Sequence, residues 1–135
     1  MGKNIASNRK EAEAEIKGRY GFVPEFFDAM PEAGFHALWG LQRDIEDSEE
    51  TRLDNKTKQL IGLAVAAHVK CQYCTYYHTR VAHALGANEE ELREAASMGG
   101  VTSALSNTLT GARVDFDQFK RDVDRAIEHV VKNGR

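Results

Sequence analysis

The chain is organised around residues 71–78, Cys-Gln-Tyr-Cys-Thr-Tyr-Tyr-His. This stretch contains both cysteines of the sequence, and a histidine follows four positions after the second cysteine. Because a helix advances by about 100° per residue, a helix here would carry Cys71, Cys74 and His78 on one face. The stretch therefore predicts two thiols and an imidazole at the start of an otherwise apolar helical stripe.

This spacing favours a redox-active pair of cysteines. Residues at i and i+3 of a helix have Cβ atoms about 5–6 Å apart, and a disulfide accepts Cα separations of about 4.4–6.8 Å. Cys71 and Cys74 can therefore form a disulfide with little backbone movement. His78 lies one turn beyond Cys74, where it can accept the thiol proton and favour a thiolate. A helix that begins near Cys71 would lower thiol pKa values further through its N–H groups and dipole.

Two other interpretations of this stretch are open. Buried cysteines are often inert, small apolar side chains. A structural zinc ion takes four ligands, and His83 is the fourth candidate after the two cysteines and His78. On a helix, however, His83 would point about 120–180° away from the cysteines, and the sequence has no further cysteine pair. We expect neither a bound metal nor a cofactor.

The composition is that of an ordinary globular domain. The 135 residues are 41% hydrophobic and 29% charged, with a net charge of −3, which gives no reason to expect nucleic acid or an anionic membrane as a partner. Residues 1–10 lack the apolar run of a secretory signal. The longest apolar run, residues 60–69, is far shorter than the roughly 20 residues that span a bilayer. We expect a cytoplasmic protein.

The first half of the chain predicts helices and no strand. Residues 8–17 form a charged helix anchored by Ile16 and ended by Gly18 and Gly21, and Pro24 and Pro31 suit the first turns of two further helices. A stripe at helical spacing predicts core positions in the second of these: Phe35, Leu38, Trp39, Gln42 and Ile45. The acidic residues 46–50 are interpreted as a solvated loop or helix end.

The second half predicts five more helices. Asp54 is a candidate N-cap for a helix that is apolar nearly all round and therefore buried, and we expect a sharp break around Lys70 before the cysteine helix, which Gly86 ends. Asn88 and Glu91 resemble a capping box for a helix that ends at residues 99–100, followed by a short helix over residues 101–110. Asp115 begins a final amphipathic helix whose apolar stripe is either intramolecular core or a subunit contact. The predicted fold class is all-α, with one domain over residues 1–135.

Three segments together resemble the alkylhydroperoxidase D / carboxymuconolactone decarboxylase family. They are residues 58–66 (Lys-Gln-Leu-Ile-Gly-Leu-Ala-Val-Ala), the Cys-x-x-Cys-x-x-x-His element of residues 71–78, and residues 86–92 (Gly-Ala-Asn-Glu-Glu-Glu-Leu). The resemblance covers about residues 53–98, with a looser match at residues 21–24. It implies a compact, all-helical bundle of the alkylhydroperoxidase D type, assembled as a homotrimer or homohexamer.

The cysteine-bearing branch of the family resembles thiol peroxidases, which implies an antioxidant enzyme for this chain. By position, Cys74 would be the thiolate that meets a hydroperoxide, Cys71 would resolve the sulfenic acid into a disulfide, and His78 would relay the proton. A dithiol donor, either a lipoyl protein or a thioredoxin-like protein, would reduce the disulfide.

One position departs from the family pattern in a way that affects the chemistry. The family has a glutamate twelve residues before the first cysteine, where it acts with the histidine in proton transfer, and this sequence has Gln59 there. An amide can orient an imidazole by hydrogen bonding but takes no proton at neutral pH. The departure predicts a weakened peroxidase. Two alternatives therefore stay open: a carboxymuconolactone decarboxylase-like lyase, which does not require the cysteine pair, and a non-catalytic oligomeric redox sensor.

Overall fold

A computed structural model describes residues 5–134, which form six α-helices and no β-strand. The helices are α1 (Arg9–Tyr20), α2 (Phe35–Leu41), α3 (Asn55–Val69), α4 (Gln72–Ala84), α5 (Glu89–Gly111) and α6 (Phe116–Lys132). Two 3₁₀ segments, Glu25–Ala29 and Glu32–Gly34, precede α2, and a π-helical turn, Gln42–Glu46, extends it. The all-α prediction is confirmed. Across residues 5–134, no helix has both the length and the hydropathy to cross a bilayer, and residues 1–4 of the polar N-terminus lie outside the described residues.

The first half of the chain packs around an aromatic cluster formed by Ile16, Phe27, Phe35 and Trp39, together with Ala6 and Ala12. The Phe27 ring centroid lies 5.9 Å from that of Phe35 and 6.1 Å from that of Trp39, separations at which tilted and edge-to-face aromatic pairs are favourable. The prediction that Ile16, Phe35 and Trp39 belong to the core is confirmed.

The π-helical turn changes which side chains face inward after Trp39. In it the Asp47 amide donates to the Gln42 carbonyl over 2.9 Å, so the helix gains a residue per turn and the predicted stripe loses its register. Ile45, inside this turn, is 60% exposed, and Leu38, which precedes the turn in α2, is exposed as well, so both predicted core positions are wrong. The Asp47 side chain is only 6% exposed and that of Glu46 28%. Of the two interpretations of the acidic run, a helix end is therefore correct for Glu46 and Asp47, and a solvated loop is wrong for them.

The second half packs around a small-residue cluster formed by Leu63, Ala82, Ala87 and Leu92. Helix α3 lies against both α4 and α5. A Cβ atom on Gly99 would collide with the backbone carbonyl of Ala64, which shows how closely α5 approaches α3. The predicted end of α5 at residues 99–100 is wrong, because this helix continues to Gly111. The separate short helix expected over residues 101–110 is part of α5.

The helix boundaries follow the capping signals elsewhere. Asp54 accepts from the Thr57 amide over 2.9 Å, Asp115 from the Gln118 amide over 2.7 Å, and the Asn88–Glu91 capping box is complete. Gly21 ends α1 with a φ of 83°, whereas Gly18 lies inside that helix and does not end it.

Two helices each have an apolar face that no other described part of the chain covers. On α3, the expectation of burial all round is wrong for Ile61, Val65 and Val69, which are exposed. Helix α6 has no buried residue at all, and its stripe of Phe116, Phe119, Val123, Ile127 and Val130 faces outward. Intramolecular core is therefore the wrong interpretation of that stripe.

Candidate functional site

A sharp turn between α3 and α4 sets the position of the first cysteine. Lys70 ends α3 in the left-handed conformation with a φ of 61°, and the Cys71 amide donates to the Ala66 carbonyl over 3.1 Å. Because the backbone leaves the right-handed helical conformation at Lys70, Cys71 becomes the N-cap of α4 in an extended conformation rather than its first helical residue. The break predicted around Lys70 is confirmed.

The two cysteines are joined by a hydrogen bond and not by a disulfide. The Cys71 Sγ atom accepts from the Cys74 amide over 3.2 Å, as the side chain of an N-cap residue does. The hydrogen bond from the Cys74 thiol, followed by the bond from its amide, lowers the pKa of Cys71. The same thiol–thiol hydrogen bond, followed by burial, raises the pKa of Cys74. In the reduced pair, negative charge is therefore favoured on Cys71, and Cys74 needs a base to become a thiolate.

Helix α4 carries a candidate base one turn beyond Cys74. The imidazole of His78 lies over Gly62 of α3, and a Cβ atom built on Gly62 would come within 2.5 Å of Nδ1 and 2.7 Å of Nε2. Only glycine leaves room for the ring at this point of the α3–α4 contact. Burial lowers the pKa of His78, and the Glu46 carboxylate opposes that effect. His78 is therefore held as a neutral imidazole, which can accept a proton.

The buried amide of Gln59 fixes the orientation of this imidazole. His78 Nδ1 lies 2.7 Å from Gln59 Oε1, and because an amide oxygen only accepts, Nδ1 donates. Gln59 Nε2 donates in turn to Glu46 Oε1 over 3.4 Å, and Glu46 Oε1 lies 3.7 Å from His78 Nδ1. With Nδ1–H engaged, the other ring nitrogen, Nε2, keeps the lone pair that can take a proton.

A second hydrogen-bond network lies beside the first. Gln42, from the π-helical turn, donates to the hydroxyl groups of Tyr77 and Tyr20 over 3.1 Å and 3.2 Å. The Tyr20 hydroxyl donates to Asp47 over 3.5 Å, and Arg19 pairs with the same carboxylate over 3.3 Å. Burial, followed by the charges of Asp47 and Glu46, raises the pKa of Tyr77. Tyr77 is therefore a neutral donor or acceptor at any physiological pH.

The structure joins the four predicted site residues in two hydrogen-bonded pairs, Cys71 with Cys74 and Gln59 with His78. The two pairs are related through α4, on which His78 follows Cys74 by one turn. Sequence reasoning missed Glu46, Gln42 and Gly62. The spacing of the chain gives no signal for the first two, because the π-helical turn that orients them breaks the helical period. The presence of Gly62 within an otherwise apolar helix was the available signal for the third.

An open groove of about 630 Å³ lies beside Cys71, where α3 ends and α4 begins. Its walls include Ala66, Lys70, Tyr76 and Arg80, so an apolar floor is flanked by two cationic side chains.

The remaining zinc-ligand candidate, His83, lies elsewhere, with Nδ1 at 3.1 Å from the Ala87 carbonyl and Nε2 at 3.0 Å from Glu89.

Comparisons with known proteins place this helical arrangement in one family. The sequence matches the carboxymuconolactone decarboxylase family over residues 24–115. The structure is similar to the alkylhydroperoxidase AhpD core from Rhodospirillum rubrum, with a TM-score of 0.69 and 23% sequence identity over 85% of this chain and 96% of that chain. No curated protein matches the sequence. Because the family match covers more than half of the chain, including both cysteines and the whole of α5, the chain belongs to the carboxymuconolactone decarboxylase family.

Proposed function

We propose that this protein is a thiol-dependent peroxidase of the alkylhydroperoxidase D type. The observation that supports it most directly is the pairing of a reduced Cys-x-x-Cys with an oriented, neutral imidazole one helical turn away. The pKa of Cys74 is raised, and an imidazole that accepts the thiol proton would allow the thiolate to form. A decarboxylase-like lyase is the alternative, and it leaves the cysteine pair unexplained because its chemistry does not require one.

The proposed cycle has three steps. His78 Nε2 takes the Cys74 proton, and the thiolate attacks the terminal oxygen of the hydroperoxide. An S–O bond forms, the O–O bond breaks, and the leaving alkoxide takes a proton from the imidazolium to become an alcohol. Cys71 then loses its proton and attacks the sulfenic sulfur of Cys74, so that an S–S bond forms and the S–O bond breaks, and the leaving hydroxide takes the proton from Cys71 and departs as water. A dithiol donor, lipoyl or thioredoxin-like, reduces that disulfide by thiol exchange.

A steady-state assay tests the proposal. Purified protein is supplied with cumene hydroperoxide and reduced lipoamide, and hydroperoxide loss is followed together with the mass of the protein. We expect turnover, a two-proton mass loss confined to the peptide that carries both cysteines, and no turnover in Cys74→Ser. Thr75→Ser, which changes a neighbouring residue of the same turn, is the matched control and should retain activity.

Three results would count against the proposal. Two unmodified thiols after peroxide treatment would remove the redox chemistry altogether. A disulfide that forms once but does not turn over with any dithiol would instead support the redox-sensor interpretation. Loss of ultraviolet absorbance from a muconolactone, unaffected by Cys74→Ser, would support the lyase.

We also propose that copies of the chain assemble through α6 into a homotrimer or homohexamer. The support is the exposed apolar stripe of this helix, which no other described part of the chain covers. Light scattering at micromolar concentration should give a multiple of the 15.1 kDa chain mass. Ile127→Glu on the stripe should reduce that mass, whereas Arg125→Glu on the opposite face should not. A monomer mass for the unmodified protein would contradict the proposal.

A further inference from the structure

We propose that Glu46 is the positioning residue that supplies the proton-relay carboxylate of this site, from a different element than α3. Gln59 occupies the position on α3 where a carboxylate was expected, and its amide cannot carry a negative charge. Glu46 reaches the same imidazole from the π-helical turn that follows α2. The inference rests on the proposed peroxidase, because it assigns Glu46 a part in moving the proton of Cys74.

Glu46 has the distances that this role requires. Its Oε1 atom lies 3.7 Å from His78 Nδ1 and 3.4 Å from Gln59 Nε2. The carboxylate therefore lies within ion-pair distance of the imidazole. It also accepts a hydrogen bond from the Gln59 amide, whose oxygen in turn accepts from Nδ1. Its negative charge by itself raises the pKa of the Cys74 thiol. Glu46 therefore favours the thiolate through the imidazolium of His78 and not by acting directly on the sulfur.

The segment that carries Glu46 is held against the first turn of α3. Lys58 Nζ donates to the Ser48 carbonyl over 2.6 Å and to Asn55 Oδ1 over 2.9 Å, and it lies 3.5 Å from the Glu46 carbonyl. Asn55 Nδ2 donates to the Asp47 carbonyl over 3.2 Å. These contacts fix the backbone on the C-terminal side of Glu46. π-Helical turns are rare and occur frequently at functional sites.

The charges around His78 point to Glu46 as its counter-ion. On the same side, Asp47 is engaged by Arg19 and by the Tyr20 hydroxyl, and the Lys58 ammonium is engaged by backbone carbonyls. From its own helix His78 faces Tyr77, whose ring centroid is 5.2 Å away, and Cys74 one turn back. From α3 it faces uncharged Gln59 and Gly62.

The chemistry follows from where the charge develops. When Nε2 takes the thiol proton, the ring becomes positive while Nδ1–H still points at Gln59. A carboxylate less than 4 Å away stabilises that imidazolium and thereby the thiolate formed with it. Glu46 does not touch the hydroperoxide or the sulfur. It acts by orienting His78 and by stabilising the protonated form of its ring.

Four variants test the inference: Glu46→Gln, Glu49→Gln, Gln59→Glu and the double exchange Glu46→Gln/Gln59→Glu. Glu49 is an exposed acid three residues further along, so its variant controls for the loss of one negative charge. Two quantities are measured on each protein: the pKa of His78 by NMR, which needs no enzymatic activity, and the hydroperoxide turnover. The double exchange moves the carboxylate from the π-helical turn to α3.

We expect Glu46→Gln to lower the pKa of His78 and to reduce turnover at least about tenfold, within the range of general acid–base effects, while Glu49→Gln changes neither. Gln59→Glu alone places a second carboxylate beside the first, where the two cannot both ionise fully, so it should change turnover little. The double exchange should restore both quantities toward wild type.

Two results would overturn the inference. One is an equal pKa of His78 in Glu46→Gln and Glu49→Gln. The other is a turnover in Glu46→Gln that matches Glu49→Gln. If no protein in the set consumes hydroperoxide and yet the pKa of His78 falls in Glu46→Gln alone, the peroxidase proposal fails and the coupling between Glu46 and His78 stands.

Discussion

The two hydrophobic clusters of the molecule use different side chains for different purposes. In the aromatic cluster, Phe27, Phe35 and Trp39 are almost completely buried, so large rings fill the space between elements and contribute most of the burial. In the half built around the small-residue cluster, Gly62 lies against the His78 ring and Gly99 against the Ala64 backbone. The first arrangement stabilises the fold by burying a large apolar surface. The second positions side chains by bringing neighbouring helices into close contact.

The candidate site lies where these two regions meet. The aromatic half contributes Gln42 and Glu46 from the turn that follows α2, and the small-residue half contributes Gln59, Cys74 and His78. Changes within the aromatic cluster should therefore affect stability first, whereas changes at the close helix contact should affect the site first. Four predictions test this division, starting with the largest effect.

Truncation of a side chain in the aromatic cluster should give the largest loss of folding stability. Phe27 is fully buried and its neighbour Phe26 is 62% exposed, so the two form a matched pair. Phe27→Ala should lower the free energy of unfolding by about 3–5 kcal/mol, and Phe26→Ala should lower it by far less, because little of its surface is buried. Chemical denaturation of both variants measures the difference. Equal losses would mean that burial within this cluster does not set stability.

Gly62→Ala should damage the site more than the fold. The added methyl group would occupy the space of the His78 ring, so the imidazole must leave its position over α3. Turnover should fall by about 10², at the lower end of what general acid–base catalysis contributes, while far-ultraviolet circular dichroism stays unchanged. Gly100→Ala is the control, because a Cβ there meets no neighbouring atom within 4 Å. Activity in Gly62→Ala equal to that in Gly100→Ala would contradict the close-contact role.

The pH dependence of stability should be specific to His78. Burial lowers the pKa of this residue in the folded protein, so the unfolded chain binds a proton more readily. Stability is then complete above the ordinary histidine pKa of about 6.5 and falls as the pH drops through that value toward the folded pKa. His78→Asn should flatten the stability curve between about pH 7 and 5, as measured by chemical denaturation across that range. A curve in His78→Asn identical to that of the unmodified protein would reject this assignment.

The smallest predicted effect distinguishes the two cysteines. The hydrogen bonds from Cys74 lower the pKa of Cys71 and raise that of Cys74, so at neutral pH Cys71 holds more of the thiolate. Limiting iodoacetamide should label Cys71 a few-fold faster, because the thiolate is the nucleophile. Peptide mass spectrometry gives the ratio, and urea-unfolded protein is the control, in which the two rates should converge. Faster labelling of Cys74 in the folded protein would reverse the proposed distribution of charge.

Much of this structure could be predicted from local signals in the sequence. The caps at Asp54, Asn88 and Asp115 depend on a side chain and an amide three residues later, and the core positions of Ile16, Phe35 and Trp39 depend on apolar side chains at helical spacing. Such features need only contacts along one element. The pairing of Cys71 and Cys74 is local in the same sense.

The tertiary structure decided the features that depend on a neighbouring helix. Gly99 would end a helix in isolation, yet α5 continues through it because the missing side chain permits the contact with α3. Glu46 belongs to an acidic run that indicates solvent, yet the π-helical turn directs it to an imidazole thirty-two positions away in sequence. The sequence by itself determined which chemical groups this protein carries and where its helices begin. Only packing between helices determined which of those groups meet, because a π-turn and a glycine contact shift side chains by amounts that no local period encodes.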